Sequence, residues 1–478
     1  MPKTSSAAGR TGRAREAVTT ALVAPRRLSD LTSALEYLSS RTNFERANPA
    51  HLGADAFRLE RMHGLLERLG QPHRDSRFVH VAGSKGKGST VEMVASCLSA
   101  CGYTVGVYTS PHLIDVRERI RLGSSWIAEA DFVRLMRDVA EAAADVVKRL
   151  GEATYFEVLT ALALKYFAEQ AVDVAVIEVG LGGRLDSTNV ITPEVCAITA
   201  IQLEHTQILG ETLDLIAREK AGIMKPGVPC VTIEQPPEVL GVFRERAAEL
   251  NTPLLVLGQD IDFSYRFEAS PELGPHVRVC VQTSRSNFEH LPVPLRGHHQ
   301  AANCGIALGV LDRLRERGFD TPERDVAAGL ARTPSEGRME LVWERPRILI
   351  DGAHTAESIE AFMKAVGAHM RYDSMVAIFG CAADKSVDGL LQKLALGADK
   401  VIFTQAAGNP RAAKPADLAR RFSELCGKMS QVEPSVKDAI NTAYRSVGHE
   451  DLICVTGSFY VAGEAKQLLT EAKSKRSA

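Results

Sequence analysis

Phe78-Val-His-Val-Ala-Gly-Ser-Lys-Gly-Lys-Gly-Ser-Thr90 decides the fold. An apolar run of strand type enters a glycine turn, and Lys-Gly-Ser-Thr then opens a stretch of helical character. Glycines let successive backbone N–H groups converge on an anion, and the N-terminus of the following helix adds partial positive charge. Lys87 supplies a point charge, and Ser89 or Thr90 can reach a magnesium ion, so triphosphate chemistry is expected. The usual spacing would need glycine at Val81. Here the loop is the shorter Gly83-x-x-Gly86-Lys87-Gly88-Ser89. A strand-to-helix turn with no ligand is the competing reading.

Outward from this loop, apolar runs at 78–82, 104–108, 173–179, 195–200 and 228–233 alternate with amphipathic stretches. That alternation predicts an α/β fold with a mostly parallel, doubly wound sheet. Period-two patterning at 261–268 and 276–282 predicts an antiparallel hairpin or small accessory sheet. Two prolines and a glycine in Leu291-Pro-Val-Pro-Leu-Arg-Gly297 break the pattern and suggest a domain boundary. A second, smaller Rossmann-like series follows, with strands near 347–351, 375–380, 400–404 and 452–456. The expected organisation is a basic tail over 1–27, a nucleotide-binding domain over 28–293 and a C-terminal α/β domain over 298–470.

The 478 residues exceed one ordinary core, and 45% hydrophobic with 24% charged residues fits a globular protein. A formal net charge of -2 gives no basic field for nucleic acid. No run approaches the roughly 18 apolar residues of a membrane span. Nine scattered cysteines form neither a CxxC nor a zinc pattern and are expected to be reduced thiols in a cytoplasmic protein. The first 27 residues carry six basic side chains against Glu16 alone, and are expected to be disordered.

Several residues sit where chemistry would need them. Glu178 ends an apolar strand just before Gly180-Leu-Gly-Gly183, at the carboxyl edge where open α/β sheets bind ligands. Magnesium takes one or two carboxylates with phosphate and water, so an acid opposite the phosphate loop suits it, although a solvated strand-end acid would look the same. His205 again follows an apolar run, and Ser110 lies in a loop after a strand. Lys220 falls in the helical stretch 212–223, where a solvated face is the ordinary reading.

The shorter loop resembles the Mur ligase superfamily, and the downstream motifs resemble its folylpolyglutamate synthase/dihydrofolate synthase branch. They appear in family order: Tyr108-Thr-Ser-Pro-His-Leu113, Thr154-Tyr-Phe-Glu157, Glu178-Val-Gly-Leu-Gly-Gly-Arg-Leu-Asp-Ser-Thr-Asn189, Glu204-His-Thr206, Glu219-Lys-Ala-Gly-Ile223, Gly297-His-His-Gln300 with Asn303, Gly337-Arg338, Asp351-Gly-Ala-His354, Phe379-Gly380 with Ala383-Asp-Lys385, and Thr456-Gly-Ser458. The resemblance spans about 37–464. It implies an amide ligase in which the γ-phosphoryl group of ATP activates a carboxylate and L-glutamate attacks the acyl phosphate.

By that resemblance, Gly86, Lys87, Gly88, Ser89, Asn303, Arg338, Asp351 and His354 would hold ATP. Two magnesium ions would be held by Ser110, Glu178, His205 and a carbamate on Lys220. Lys87, Lys220 and His205 would be the catalytic set. Thr154, Tyr155, Phe156, Glu157, Leu185, Asp186 and Ser187 match segments that contact dihydropteroate, with Phe156 a stacking surface for a flat ring. Both dihydropteroate and a reduced folate are expected acceptors, and a monomer is the expected state. Several neighbours depart from the family pattern. Ser84-Lys85 replaces Thr-Asn, Glu204 replaces Asp, Thr355-Ala356 replaces Asn-Pro, Glu336 replaces a common Pro, and Arg58-Leu-Glu-Arg61 replaces Gly-Leu-Glu-Arg. A nucleotide-dependent switch or hydrolase, and a Mur-type ligase of cell-wall precursors, are the rival readings.

Overall fold

The structure, a computed structural model, describes residues 28–45 and 57–477. The expected tail over 1–27 lies outside the described residues.

The continuous apolar run around Phe78 forms β1 (Phe78–Ala82), buried on both faces as a central strand must be. Around it stand β2 (Val105–Tyr108), β3 (Ile120–Leu122), β4 (Ser125–Trp126), β5 (Val174–Glu178), β6 (Val195–Ile198), β7 (Cys230–Thr232) and β8 (Leu254–Val256). Their order is β4-β3-β2-β5-β1-β6-β7-β8, parallel except for the antiparallel edge strands β3 and β4. Successive side chains of a strand point to opposite faces. Val79, Val81, Val105, Val107, Val174 and Val176 therefore pack on one side with the helix Lys87–Ala100. Phe78, Tyr108, Ala175 and Ile177 face the helices Glu129–Leu150 and Tyr155–Glu169 on the other.

The period-two stretches form a three-stranded antiparallel sheet of β9 (Asp262–Ser270), β10 (Gly274–Gln282) and β11 (Asn287–Pro292), one strand more than a hairpin. The domain boundary expected at 291–297 falls elsewhere. The helices His299–Glu316 and Glu323–Ala331 bury Ala301, Cys304, Leu308, Leu311, Val326 and Leu330 in the same core as β1 and Lys87–Ala100. Pro292 and Pro294 thus end an edge strand, and the core changes only after Ala331.

The second unit contains β12 (Glu340–Glu344), β13 (Arg347–Ile350), β14 (Met375–Phe379), β15 (Lys400–Phe403), β16 (Ser430–Val432) and β17 (Leu452–Thr456). They are ordered β12-β13-β17-β14-β15-β16, with β12 alone antiparallel. Separate apolar cores cover its two faces, so it is a doubly wound sheet smaller than the first. Among the described residues no helix is long and apolar enough to cross a membrane.

Candidate active site

Gly86 caps the helix Lys87–Ala100 in the left-handed region (φ 94°), which glycine reaches without strain. Lys87 follows at the first helical position, and its Nζ donates to the Gly83 carbonyl oxygen at 3.0 Å. The bend is therefore closed by its own lysine, with the amides of the first helical turn at its mouth. Ser89 and Thr90 are buried within that turn, and Thr90 Oγ1 has no hydrogen-bond partner.

Two residues from distant sequence close on this loop. A Cβ on Gly86 would collide with the Asn303 amide, and one on Gly88 would collide with Arg338 Nη2 while lying 3.4 Å from Glu178 Oε2. Asn303 is buried and donates to Gln300 Oε1 at 2.9 Å. Arg338 reaches across from the second unit, and among the described residues its guanidinium has only a long bond to the Glu336 carbonyl at 3.3 Å. Phosphate loop, Asn303, Arg338 and Glu178 therefore surround one space.

Glu178 is buried at the end of β5 and accepts from the Ser110 N–H at 3.1 Å, which brings the Ser110 loop to it. Burial raises its carboxyl pKa, against Lys87, the Ser110 amide and Arg338. His205 begins the short helix Thr206–Leu209 with φ 48°, a conformation costing a non-glycine residue about 1 kcal/mol or more. Burial lowers its pKa to about 4, leaving a neutral ring able to donate a lone pair. No group of three His, Cys, Asp or Glu side chains that could hold a metal occurs among the described residues. Glu178 and the Ser110 loop are thus the two expected metal-site parts that a bond brings together.

Lys220 is not on a solvated face. It is 2% exposed, and its Nζ donates to the Gly83 carbonyl at 2.8 Å and to Glu204 Oε1 at 3.1 Å. Lys85 Nζ lies 3.8 Å from the other Glu204 oxygen. Burial lowers the Lys220 pKa to about 8 in spite of Glu204. Burial opposes ionisation of Glu204 too, yet Lys87, Lys220 and Lys85 together hold it down at about 2. Glu204 is the participant that sequence reasoning left without a role. The signal available was the simultaneous presence of Lys85 and Glu204 at two departures from the family pattern.

In the second unit, Asp351 follows β13 and accepts from the Met339 and Ala353 N–H groups at 2.9 and 2.8 Å. Burial pushes it up to about 6. His354 Nδ1 lies 2.8 Å from the Gly352 carbonyl, and burial takes its pKa down to about 3, so the ring is neutral.

The segment expected to contact an acceptor divides by role. Thr154 and Glu157 form a capping box at the start of Tyr155–Glu169, and both oxygens of Glu157 share the Arg61 Nε–H, at 2.7 and 2.9 Å. Their polar atoms are spent within the protein, and Tyr155 is buried. Phe156 is half-buried, with its ring 5.8 Å from that of Tyr108 and packed on Gly180, where a Cβ would meet it at 2.5 Å. Leu185 and Ser187 are half-buried beside it in sequence with buried Asp186, whose Oδ2 accepts from Leu181 N–H at 2.8 Å. Phe156, the glycine turn and Asp186 are thus the parts brought together.

The Mur ligase middle domain model matches residues 81–311, and the Mur ligase glutamate ligase domain model matches 337–459. The dihydrofolate synthase/folylpolyglutamate synthase of Bacillus subtilis is 34% identical over 415 residues, covering 86% of this chain and 94% of that protein. The Escherichia coli protein of the same description is 30% identical, covering 94% and 98%. The chain belongs to the folylpolyglutamate synthase/dihydrofolate synthase family. Among solved structures, Mycobacterium tuberculosis folylpolyglutamate synthase complexed with ADP superposes with a TM-score of 0.82 at 30% identity, covering 92% of this chain and 98% of that one. Escherichia coli FolC in complex with DHPP and ADP gives 0.80 at 29% identity, covering 93% and 99%. The Gly83–Ser89 loop falls in the first matched stretch and Arg338 in the second.

Proposed function

We propose that this enzyme uses ATP to join L-glutamate to dihydropteroate and to a reduced folate. The substrate carboxylate oxygen attacks the γ-phosphorus and ADP leaves. The glutamate amine then attacks the acyl carbon, sheds a proton and expels phosphate. The observation that best supports this reading is the convergence of Asn303 and Arg338 on Gly86 and Gly88, which makes the phosphate loop one wall of a cleft between two units. A simple hydrolase gives no reason for that cleft, whereas an acyl phosphate needs protection from water.

In this reading the amides after Gly86, with Lys87 and Arg338, take the triphosphate, and Lys87 offsets charge on the transferring phosphoryl group. Asn303, Asp351 and His354 take the rest of the nucleotide. Glu178, Ser110 and His205 hold magnesium, which supplies further positive charge there. Carbamylation of Lys220 would convert a cation into an anionic ligand. A buried amine with a pKa of about 8 has a substantial neutral fraction for reaction with carbon dioxide. Glu204, then freed of Lys220, keeps Lys85 as its counter-ion. Phe156 offers a stacking face for the pterin and Asp186 an acceptor for its N–H groups.

A cytoplasmic location fits the nine unpaired cysteines. The deciding experiment supplies purified enzyme, ATP, magnesium and L-glutamate with each acceptor in turn, and follows ADP release and product mass. Dihydrofolate from dihydropteroate and a lengthened reduced folate are expected. Product from the folate alone limits the enzyme to tail extension, and product from neither removes the reading.

A further inference from the structure

His80 stands at the centre of β1, fully buried, with Val79 and Val81 beside it and Ile177 and Cys196 as its strand partners. Nothing in the chemistry above uses it. Its Nε2 lies 2.9 Å from Thr188 Oγ1, and Thr188 Oγ1 donates to Asp186 Oδ1 at 2.5 Å. The single hydroxyl hydrogen of Thr188 is committed to the carboxylate, so His80 must donate through Nε2–H. Its Nδ1 is then a bare acceptor, shut off from solvent and without a hydrogen-bond partner.

An unpartnered buried polar atom costs about 1–3 kcal/mol. An aliphatic residue would suit this position better, since the other four residues of β1 are apolar and buried. The histidine therefore works against stability, and its one bond is aimed at Thr188. At Asp186, Oδ1 accepts from both Thr188 N–H at 3.0 Å and Thr188 Oγ1, while Oδ2 accepts from Leu181 N–H. The Gly180 amide also lies against the carboxylate. With Oδ1 occupied twice, the carboxylate cannot rotate without losing bonds, and Oδ2, with one bond to Leu181, has a second lone pair for a ligand donor.

We infer that His80 and Thr188 are positioning residues for acceptor recognition: the chain His80–Thr188–Asp186 fixes the Asp186 carboxylate in the orientation that receives the N–H groups of a flat heterocycle stacked on Phe156. This rests on the reading of Asp186 as an acceptor contact. Neither residue touches substrate, and both act through Asp186.

The test compares His80→Leu, Thr188→Val, Thr188→Ser and Asp186→Asn for kcat, KM of dihydropteroate, KM of ATP and melting temperature. His80→Leu should melt at or above the wild-type temperature, yet its dihydropteroate KM should rise roughly three- to tenfold, the worth of one net hydrogen bond. Its ATP KM should not move. Thr188→Val should raise the dihydropteroate KM likewise but melt lower, since it leaves the buried His80 N–H unpartnered, and Thr188→Ser, which keeps the hydroxyl, should restore the wild-type KM. Unchanged dihydropteroate KM in both His80→Leu and Thr188→Val, with a raised KM in Asp186→Asn, overturns the relay and leaves the acceptor reading standing. An unchanged KM in Asp186→Asn overturns the acceptor reading itself. If His80→Leu does not fold, the histidine is structural after all, and the Thr188 pair decides whether the hydroxyl orients Asp186.

Discussion

Gly88→Ala should damage nucleotide use through Arg338 while leaving the fold intact. The new methyl group would occupy the space of Arg338 Nη2 and sit within ordinary contact of Glu178 Oε2 at 3.4 Å. The arginine must give way, because the helix backbone at Gly88 is held and the guanidinium has only the 3.3 Å bond to the Glu336 carbonyl to lose. Displacing it is thus cheap for stability, and the melting temperature should change by about 2 °C or less, the shift expected for under 1 kcal/mol in a chain of this size. Nucleotide binding loses one charge-assisted hydrogen bond, worth about 1.5–3 kcal/mol, so kcat/KM for ATP should fall roughly ten- to a hundredfold. The assay is ADP release against ATP concentration for Gly88→Ala, Arg338→Ala and the double variant. If the methyl acts through the arginine, the double variant is no worse than Arg338→Ala alone. Fully additive losses would mean that the methyl obstructs the phosphate cradle directly, and a wild-type ATP KM in Gly88→Ala would refute the placement of Arg338 at the phosphates.

Lys87→Ala should remain folded and lose roughly two to three orders of magnitude in kcat, by analogy with one lost transition-state donor, as read in steady-state turnover. Glu178→Ala and His205→Ala should each shift the magnesium titration of the rate to higher concentration, Glu178→Ala further, and an unmoved curve for His205→Ala would make it an ordinary loop histidine. Lys220→Ala should lose activity and recover part of it with millimolar acetate if a carboxylate belongs at that position. His80, lowered by burial to about 3, binds more protons when the chain unfolds. The linked penalty is therefore small above pH 6.5 and grows as the pH drops toward 3, by about 1.6 kcal/mol between pH 6.5 and 5. Urea unfolding of His80→Leu should accordingly be less sensitive to acid than that of the wild type.

Those strands were most legible whose burial on both faces leaves an uninterrupted apolar run. β1 coincides with its expected bounds, and β2, β5 and β6 differ by a residue or two at their ends. β3 and β4 were not anticipated, because three- and two-residue edge strands carry too little pattern to rise above the loop around them. The boundary was misplaced for a different reason. Proline and glycine report that a local element stops, whereas a domain ends where packing stops, and the helix His299–Glu316 packs on a partner more than two hundred residues earlier.

The same distinction separates what was readable at the site from what was not. Lys87, Glu178 and Asp351 declare themselves by position, one in a glycine turn and two at strand ends, since the topology of an open α/β sheet fixes where such residues face. Lys220 could not be read that way. Its environment is built by Gly83, 137 residues distant, and by Glu204, and only their approach turns a helix-face lysine into a buried amine with a lowered pKa. Thr154 and Glu157 show the converse. Their spacing signals a capping box as clearly as it signals a ligand site, and Arg61, 96 residues away, completes the polar contacts of Glu157. For Thr154 and Glu157, buried and bonded to each other and to Arg61, the capping role accounts for their placement. The half-exposed Phe156 between them is the member of that segment with surface left to offer.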